Sequence, residues 1–146
     1  MMSVQLRTAR DSDRTRCLAL LGTLRAATGS TVPPEAGSAF DRLLDGKRGQ
    51  VHVAEEDGLV LGFAAVSYNL AMRFGGEYCQ LEELVVDPDA RGKNIGGRLV
   101  EAVLAAAKAR GCAECGLYLV PATTHNRPFY ERYGFVALDV EMRISL

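Results

Sequence analysis

The chain has 146 residues, with 17 basic and 18 acidic side chains and a formal net charge of −1. This length is typical of one domain, so residues 1–146 are expected to fold as a unit. The absence of a basic surplus argues against nucleic-acid binding. No apolar run approaches the roughly 20 residues of a membrane span, and the first ten residues lack the apolar core of a secretion signal. We therefore expect a soluble, cytoplasmic protein with a hydrophobic core.

The cysteines and histidines do not form a metal-binding pattern. Four scattered cysteines are too few for a disulfide framework. Cys112 and Cys115 form a lone C-x-x-C pair, and the two histidines, His52 and His125, are far apart in the sequence. We predict no metal site and interpret these cysteines as buried or partly buried thiols.

Hydrophobic periodicity and helix-end signals predict ten elements. In chain order they are a strand at 4–8, a helix that follows Asp11–Asp13 and ends at Gly29, a short helix from Pro33 to Gly46, strands at 50–56, 59–67 and 78–86, a helix at 96–110, a strand at 114–120, a short helix at 126–133 and a strand at 136–146. Asp57-Gly58, between the second and third strands, is typical of a tight hairpin. The order predicts a mixed α/β domain.

The glycine-rich segment 91–97 opens the long helix at 96–110. The free N–H groups and the dipole of a helix N-terminus bind anions. Glycines allow close backbone approach and basic side chains add positive charge; the residues concerned are Gly92, Gly96, Gly97, Arg91, Lys93 and Arg98. We interpret the segment as a phosphate or pyrophosphate cradle, the alternative being a solvated glycine-rich turn. It matches neither the P-loop nor the dinucleotide-binding pattern.

This segment resembles the acyl-CoA signature of the GNAT superfamily of N-acetyltransferases, Q/R-x-x-G-x-G/A, with Arg91 first and Gly96 last. Asn94 replaces the middle glycine, and asparagine reaches left-handed conformations at modest cost. Residues 84–88 are similar to the family's pantetheine strand, and residues 126–135 to its N-x-x-x-x-F/Y-Y-x-x-x-G-F segment in compressed form. With the similar opening at 6–13, the resemblance spans most of the chain.

The resemblance implies a single GNAT domain with a mixed, mostly antiparallel sheet of six to seven strands and about four flanking helices. It implies acetyl-CoA as co-substrate and direct acetyl transfer, through a ternary complex, to a primary amine of a small molecule or peptide. We expect no metal, nucleic acid or membrane to be involved. A homodimer is compatible with the family, although the sequence shows no feature specific to one.

The resemblance also implies binding roles. Backbone N–H groups would hold the CoA pyrophosphate; the residues are Arg91, Gly92, Lys93, Asn94, Ile95, Gly96 and Gly97. The main chain of Leu84, Val85 and Val86 would pair with the pantetheine amides as an added strand does, and would polarise the thioester carbonyl. Asn126 would contact the pantetheine arm.

Tyr130 matches the family's general acid, which protonates the departing thiolate; the alternative is a purely packing aromatic. An alkyl ammonium with a pKa near ~10.4 must also lose a proton before it can attack. Glu82 occupies the position of the base in some members, and Glu83 is the reserve. Because strand neighbours face opposite ways, one of the two is expected to face the cleft. Surface carboxylates are the alternative for both.

Two other functions stay open at this stage. One is an acyl-CoA sensor, a degenerate GNAT domain without turnover, which the substitution at Asn94 favours slightly. The other is a nucleotide-phosphate-binding domain that uses the same cradle. The amine acceptor is not identified, although Arg73, Phe74 and residues 25–40 are candidates to contact it.

Overall fold

One five-stranded sheet, in the order β1-β2-β3-β4-β5, runs through the molecule. The computed structural model describes residues 3–138 and 140–146. The strands are β1 (Gln5–Thr8), β2 (Gly49–Glu56), β3 (Leu59–Ala71), β4 (Gly76–Val86) and β5 (Cys115–Gly116). Neighbours are antiparallel from β1 to β4, and β5 runs parallel to β4. The mixed, mostly antiparallel sheet is confirmed.

Four helices cover the two faces of this sheet, as predicted. They are α1 (Arg14–Ala27), α2 (Ala36–Leu43), α3 (Ile95–Arg110) and α4 (Arg127–Glu131). Successive residues of β2 show the division, because Val53 packs in the α1–α2 core and Ala54 in the α3 core. This is the period of two that places strand neighbours on opposite faces. Among the described residues, no helix is long and apolar enough to cross a membrane.

The hairpin between β2 and β3 turns at the predicted dipeptide. Asp57 has φ 55° and Gly58 has φ 75°. Two consecutive positive φ values characterise the turn whose twist matches antiparallel strands. The turn sets the register that pairs Glu56 with Leu59.

A β-bulge interrupts the pairing of β3 with β4. Ala65 pairs with Glu83 and Val66 pairs with Leu81, so Glu82 is the extra residue on β4. A bulge breaks the alternation of side chains along a strand and re-aims the residues beside it. This irregularity decides the geometry of the site.

The sheet is smaller than the predicted six to seven strands. β5 pairs with β4 at two positions, Cys79 with Cys115 and Gln80 with Gly116, so the predicted strand at 114–120 is mostly unpaired. The predicted strand at 136–146 is wrong for the described residues 136–138 and 140–146, which belong to no strand; Asp139 lies outside the described residues. A sequence of alternating apolar and polar residues forms a strand only where a neighbouring strand edge pairs with it. The large apolar side chains from Val136 to Leu146 are instead at least 77% exposed.

Candidate active site

Glu82 and Glu83 both line one cavity of about 390 Å³. The expectation that one of the two would face the cleft is wrong, because the bulge at Glu82 removes the alternation on which it rested. Glu83 is half-buried and Glu82 is exposed. The bulge therefore places two adjacent carboxylates beside one space.

The rest of the cavity lies between α1, α2 and the sheet, and its walls are mostly apolar. The apolar lining residues are Cys17, Leu18, Leu21, Pro33, Ala36, Ala39, Phe40, Leu43, Val51, Phe63 and Ala65. Arg25 is the one basic side chain among the described residues that line it. Five of the lining residues fall within residues 25–40, and contact of this segment with the acceptor stays a prediction.

The environment of Glu83 suits a general base. Burial raises its pKa to about 7, the negative charge of Glu82 adds to this rise, and Arg25 opposes it. A base with a pKa near the working pH combines a useful deprotonated fraction with good proton affinity. Of the two glutamates, the structure favours Glu83 for this role over the first candidate, Glu82.

Glu82 has a different partner, which the sequence did not reveal. Ser67 Oγ on β3 donates a hydrogen bond to Glu82 Oε2 at 2.6 Å. Across the bulge, Ser67 is paired with Gln80, two positions before Glu82. Sequence periodicity does not locate a bulge, so this contact had no signal in the sequence.

The pairing of β4 with β5 ends at Gln80 and Gly116. Asp87 N donates to Leu61 O of β3 at 2.8 Å. Because backbone groups alternate between the two sides of a strand, Val85 also faces β3, whereas the N–H and C=O groups of Leu84 and Val86 point away from β3. The main chain of Leu84 and Val86 thus lies on the side of β4 where the pairing with β5 has ended, and its contact with pantetheine stays a prediction.

The cradle at 91–97 has the backbone conformation that its glycines suggested. Gly92 has φ 84° and Asn94 has φ 52°, so asparagine adopts the left-handed conformation at the position of the missing glycine. α3 begins at the next residue, Ile95. Lys93 Nζ forms a 2.5 Å ion pair with Glu56, so part of the predicted positive charge is neutralised within the chain. The prediction of anion binding therefore depends mainly on the free backbone N–H groups at the N-terminus of α3.

Asp87 holds the turn between β4 and the cradle. Its Oδ1 accepts from Asp89 N at 2.9 Å, and its Oδ2 accepts from Arg16 Nη2 of α1 at 2.5 Å. Asp followed by Pro is an N-cap signal that could have revealed the first of these contacts.

Tyr130 lies on α4, where its ring forms edge contacts with Phe129 and Phe135 at centroid distances of 5.0 and 5.9 Å. Burial raises the pKa of its phenol. The hydroxyl therefore stays protonated at neutral pH and is able to donate a proton. Asn126, half-buried, immediately precedes α4.

The remaining candidates lie away from this cavity. Arg73 stacks on Phe74 and Tyr78, with its guanidinium 4.7 and 5.1 Å from the two ring centroids, and neither Arg73 nor Phe74 lines the cavity. Cys112 and Cys115 are half-buried free thiols, as predicted. Within residues 3–138 and 140–146, no group of three or more His, Cys, Asp or Glu side chains could hold a metal ion.

The known proteins that this chain resembles are N-acetyltransferases. The sequence model of the Acetyltransferase (GNAT) domain matches residues 47–137. Glucosamine 6-phosphate N-acetyltransferase of Trypanosoma brucei brucei is 28% identical, covering 100% of this chain and 98% of that protein. Probable glucosamine 6-phosphate N-acetyltransferase 2 of Oryza sativa subsp. japonica is 31% identical, covering 97% of this chain and 87% of that protein.

A solved structure extends the likeness to the fold. The crystal structure of glucosamine-6-phosphate N-acetyltransferase from Arabidopsis thaliana superposes with a TM-score of 0.79 at 25% identity, over 98% of each chain. The family match covers more than half of the sequence, and it agrees with the cradle and the paired carboxylates described above. The chain belongs to the GNAT family of acetyl-CoA-dependent N-acetyltransferases.

Proposed function

We propose that the chain transfers the acetyl group of acetyl-CoA by direct attack of a primary amine seated in the cavity beside Glu82 and Glu83. The observation that carries this proposal is the β-bulge, which directs both carboxylates into one cavity on the strand whose far end opens toward the cradle. An ammonium group is attracted by the two carboxylates. Glu83, with a pKa of about 7, then accepts its proton.

The donor side uses backbone groups and Tyr130. Acetyl-CoA, when bound, supplies an acetyl group activated as a thioester. The main-chain groups of Leu84 and Val86, which point away from β3, pair with the amides of its arm. The N–H groups of residues 91–97 bind its pyrophosphate, and Asn126 contacts the arm. As the C–S bond of the tetrahedral intermediate breaks, Tyr130 gives its proton to the departing sulfur. The nitrogen loses its second proton as the amide forms, and this proton restores the phenol of Tyr130. Glu83, which took the first proton of the ammonium group, returns it to solvent.

The walls of the cavity favour an amine with a largely apolar body. The names of the relatives make glucosamine 6-phosphate an alternative acceptor. A phosphate group needs several charged or N–H donors, and Arg25 is the one cation among the described lining residues. Leu18, Leu21 and Phe40 instead offer surfaces that suit an alkyl or aryl group.

An acetyl-CoA thiol-release assay tests the proposal. The acceptors are hexylamine, 2-phenylethylamine, glucosamine and glucosamine 6-phosphate, each at pH 8. We expect release with the first two and less with the sugars. If glucosamine 6-phosphate were the only one of these acceptors to be acetylated, the proposed apolar acceptor would be wrong, while the proposed acetyl transfer would stand. Tight acetyl-CoA binding without release for any primary amine, peptides included, would instead support an acyl-CoA sensor.

A further inference from the structure

A second cavity, here called the basic cavity, adjoins the cavity beside Glu82 and Glu83, here called the acceptor cavity. Its volume is about 380 Å³. Ala39 and Leu43 of α2 line both cavities. The other residues that line the basic cavity are Arg42, Lys47, Arg48, Ser67, Tyr68 and Asn69. The basic cavity thus continues the space in which the amine is proposed to sit.

Three cationic side chains and no acidic one are found among the described residues that line the basic cavity. Arg42, Lys47 and Arg48 are exposed, and none of them forms an ion pair with a described residue. Like charges around one hollow repel one another, and an anion bound between them relieves this repulsion. The charge of the basic cavity therefore favours an anionic ligand.

The loop that carries two of these cations is held by its main chain. Arg110 of α3 donates to Gly46 O at 2.7 Å and to Lys47 O at 2.8 Å. Tyr68 N of β3 donates to Arg48 O at 2.8 Å. The Arg110 guanidinium also lies 3.9 Å from the ring centroid of Tyr68. Because these contacts use only carbonyl groups of the loop, the side chains of Lys47 and Arg48 stay available to a ligand.

Strand β3 runs from one cavity to the other and indicates the length of a ligand that spans both. Ala65 lines the acceptor cavity and pairs with Glu83. Ser67 and Asn69, two and four residues farther along, line the basic cavity. Since each residue of a strand adds about 3.3 Å, these positions lie roughly 7 and 13 Å beyond the level of Glu83. Asn69 Nδ2 donates to Ser67 Oγ at 3.0 Å, and Ser67 Oγ donates to Glu82, so polar contacts continue up to the carboxylates.

We propose that the basic cavity binds an anionic group at the far end of the acceptor, which is then an amine with an apolar body and an oxyanion about 7–13 Å from its nitrogen. This inference rests on the proposed acetyl transfer and adds a second point of recognition to the proposed acceptor. The planar guanidinium groups of Arg42 and Arg48 suit a carboxylate or a phosphonate, because each can donate two parallel hydrogen bonds to such a group. The apolar walls of the acceptor cavity hold the body between the two charged ends.

The test compares acceptors that differ only in the end group, namely octylamine, 8-aminooctanoate and 8-aminooctylphosphonate. The readouts are kcat/KM for thiol release from acetyl-CoA and the dissociation constant of each acceptor from calorimetric titration, which needs no turnover. We expect an anionic acceptor to exceed octylamine about tenfold in both readouts, and the larger gain identifies carboxylate or phosphonate as the anion. The short β-alanine, whose carboxylate does not reach the basic cavity from an amine beside Glu83, should gain nothing over propylamine.

Matched variants locate the effect. Arg42→Gln and Arg48→Gln each remove one charge from the basic cavity, and each should lower the preference for the anionic acceptor by about threefold or more. Lys108→Gln is the control, because this exposed lysine of α3 lines neither cavity and forms no ion pair with a described residue. The control should keep the parental preference.

The outcomes separate this inference from the acetyl transfer on which it rests. Octylamine that performs as well as both anionic acceptors, or a preference that survives in Arg42→Gln and Arg48→Gln, would overturn the inference. Absence of thiol release with every amine would overturn the proposed acetyl transfer, and the dissociation constants would then decide whether the basic cavity binds the anion. Circular dichroism should show that the variants, all at exposed positions, stay folded.

Discussion

The two adjacent carboxylates of the bulge influence each other's protonation. The negative charge of Glu82 contributes to the raised pKa of Glu83, after the larger effect of burial. Residue types alone identified both glutamates as candidates for the base, but not which of them is buried. That distinction depends on one extra residue in β4, which a pattern of period two cannot detect.

Glu82→Gln should shift the pH dependence of the rate without abolishing it. Loss of the neighbouring charge lowers the pKa of Glu83, so the rise in kcat/KM with pH should occur at lower pH than in the parent. The measurement is the pH profile of thiol release from pH 5 to 9. Ser67→Ala, which removes the hydrogen bond to Glu82 and keeps its charge, is the control. This account is contradicted if the pH profile of Glu82→Gln is the same as that of the parent, or if the variant is inactive.

Tyr130→Phe keeps the aromatic contacts with Phe129 and Phe135 and removes the hydroxyl. General acid catalysis contributes typically about 10²–10⁴-fold, so we expect a fall of that order in kcat with little change in acetyl-CoA affinity. Tyr78→Phe, which alters a β4 ring whose centroid lies 5.5 Å from that of Phe74, is the matched control. Parental turnover, with chemistry shown to limit the rate, would mean that Tyr130 only packs.

Among the secondary-structure elements, those whose ends are set by residues close in sequence were predicted correctly. The Asp57-Gly58 turn and the α3 helix, predicted at 96–110 and found at Ile95–Arg110, depend on turn and helix-end residues close in sequence. Pairing of strands depends on what lies beside them. Residues 117–120, 136–138 and 140–146 have the composition of strands but lie in none of the strands that the structure describes, so the prediction of six to seven strands was wrong.

The cradle gives a test at this level. A Cβ at Gly96 would lie 3.4 Å from Phe129 Cζ and 3.7 Å from Val86 Cγ2, which is ordinary contact. It would occupy space between the end of β4 and α4, so overpacking against bound acetyl-CoA should cost about 1–3 kcal/mol in affinity. The free protein should be no less stable, since alanine favours helix more than glycine.

We therefore expect calorimetric titration to show acetyl-CoA binding to Gly96→Ala weakened by roughly 5- to 150-fold. Gly76→Ala, where an added Cβ meets nothing within 4 Å, is the control and should bind as the parent does. If the folded Gly96→Ala protein bound acetyl-CoA with the affinity of the parent, residues 91–97 would not form part of the acetyl-CoA site.

For the molecule as a whole, Glu83 makes stability depend on pH. Its pKa rises from 4.5 to about 7 on folding, so between these values the folded state binds a proton that the unfolded state has released. The free energy of unfolding must then fall as pH rises through this window. The shift corresponds to roughly 3 kcal/mol at 1.36 kcal/mol per unit.

Glu83→Gln should remove this penalty. We expect urea unfolding to show the variant more stable than the parent by roughly 2–3 kcal/mol at pH 8, and nearly equal at pH 5, where the parent carboxyl is protonated. An equal difference at both pH values would show that the charge of Glu83 carries no penalty in the folded state. The deprotonated form of Glu83, which the reaction needs, is thus the form that lowers the stability of the fold. Such a loss of stability is common at catalytic sites.

The most direct test of the central claim, that Glu83 deprotonates the amine, is the pH profile of kcat/KM for the parent and for Glu83→Gln with the best amine acceptor. The account predicts that the parent rate rises through an apparent pKa of about 7, as Glu83 loses its proton. In Glu83→Gln that limb should vanish, leaving a slower rate that climbs toward the pKa of the free amine. A Glu83→Gln enzyme that keeps the limb near pH 7 at the parental rate would contradict the assignment.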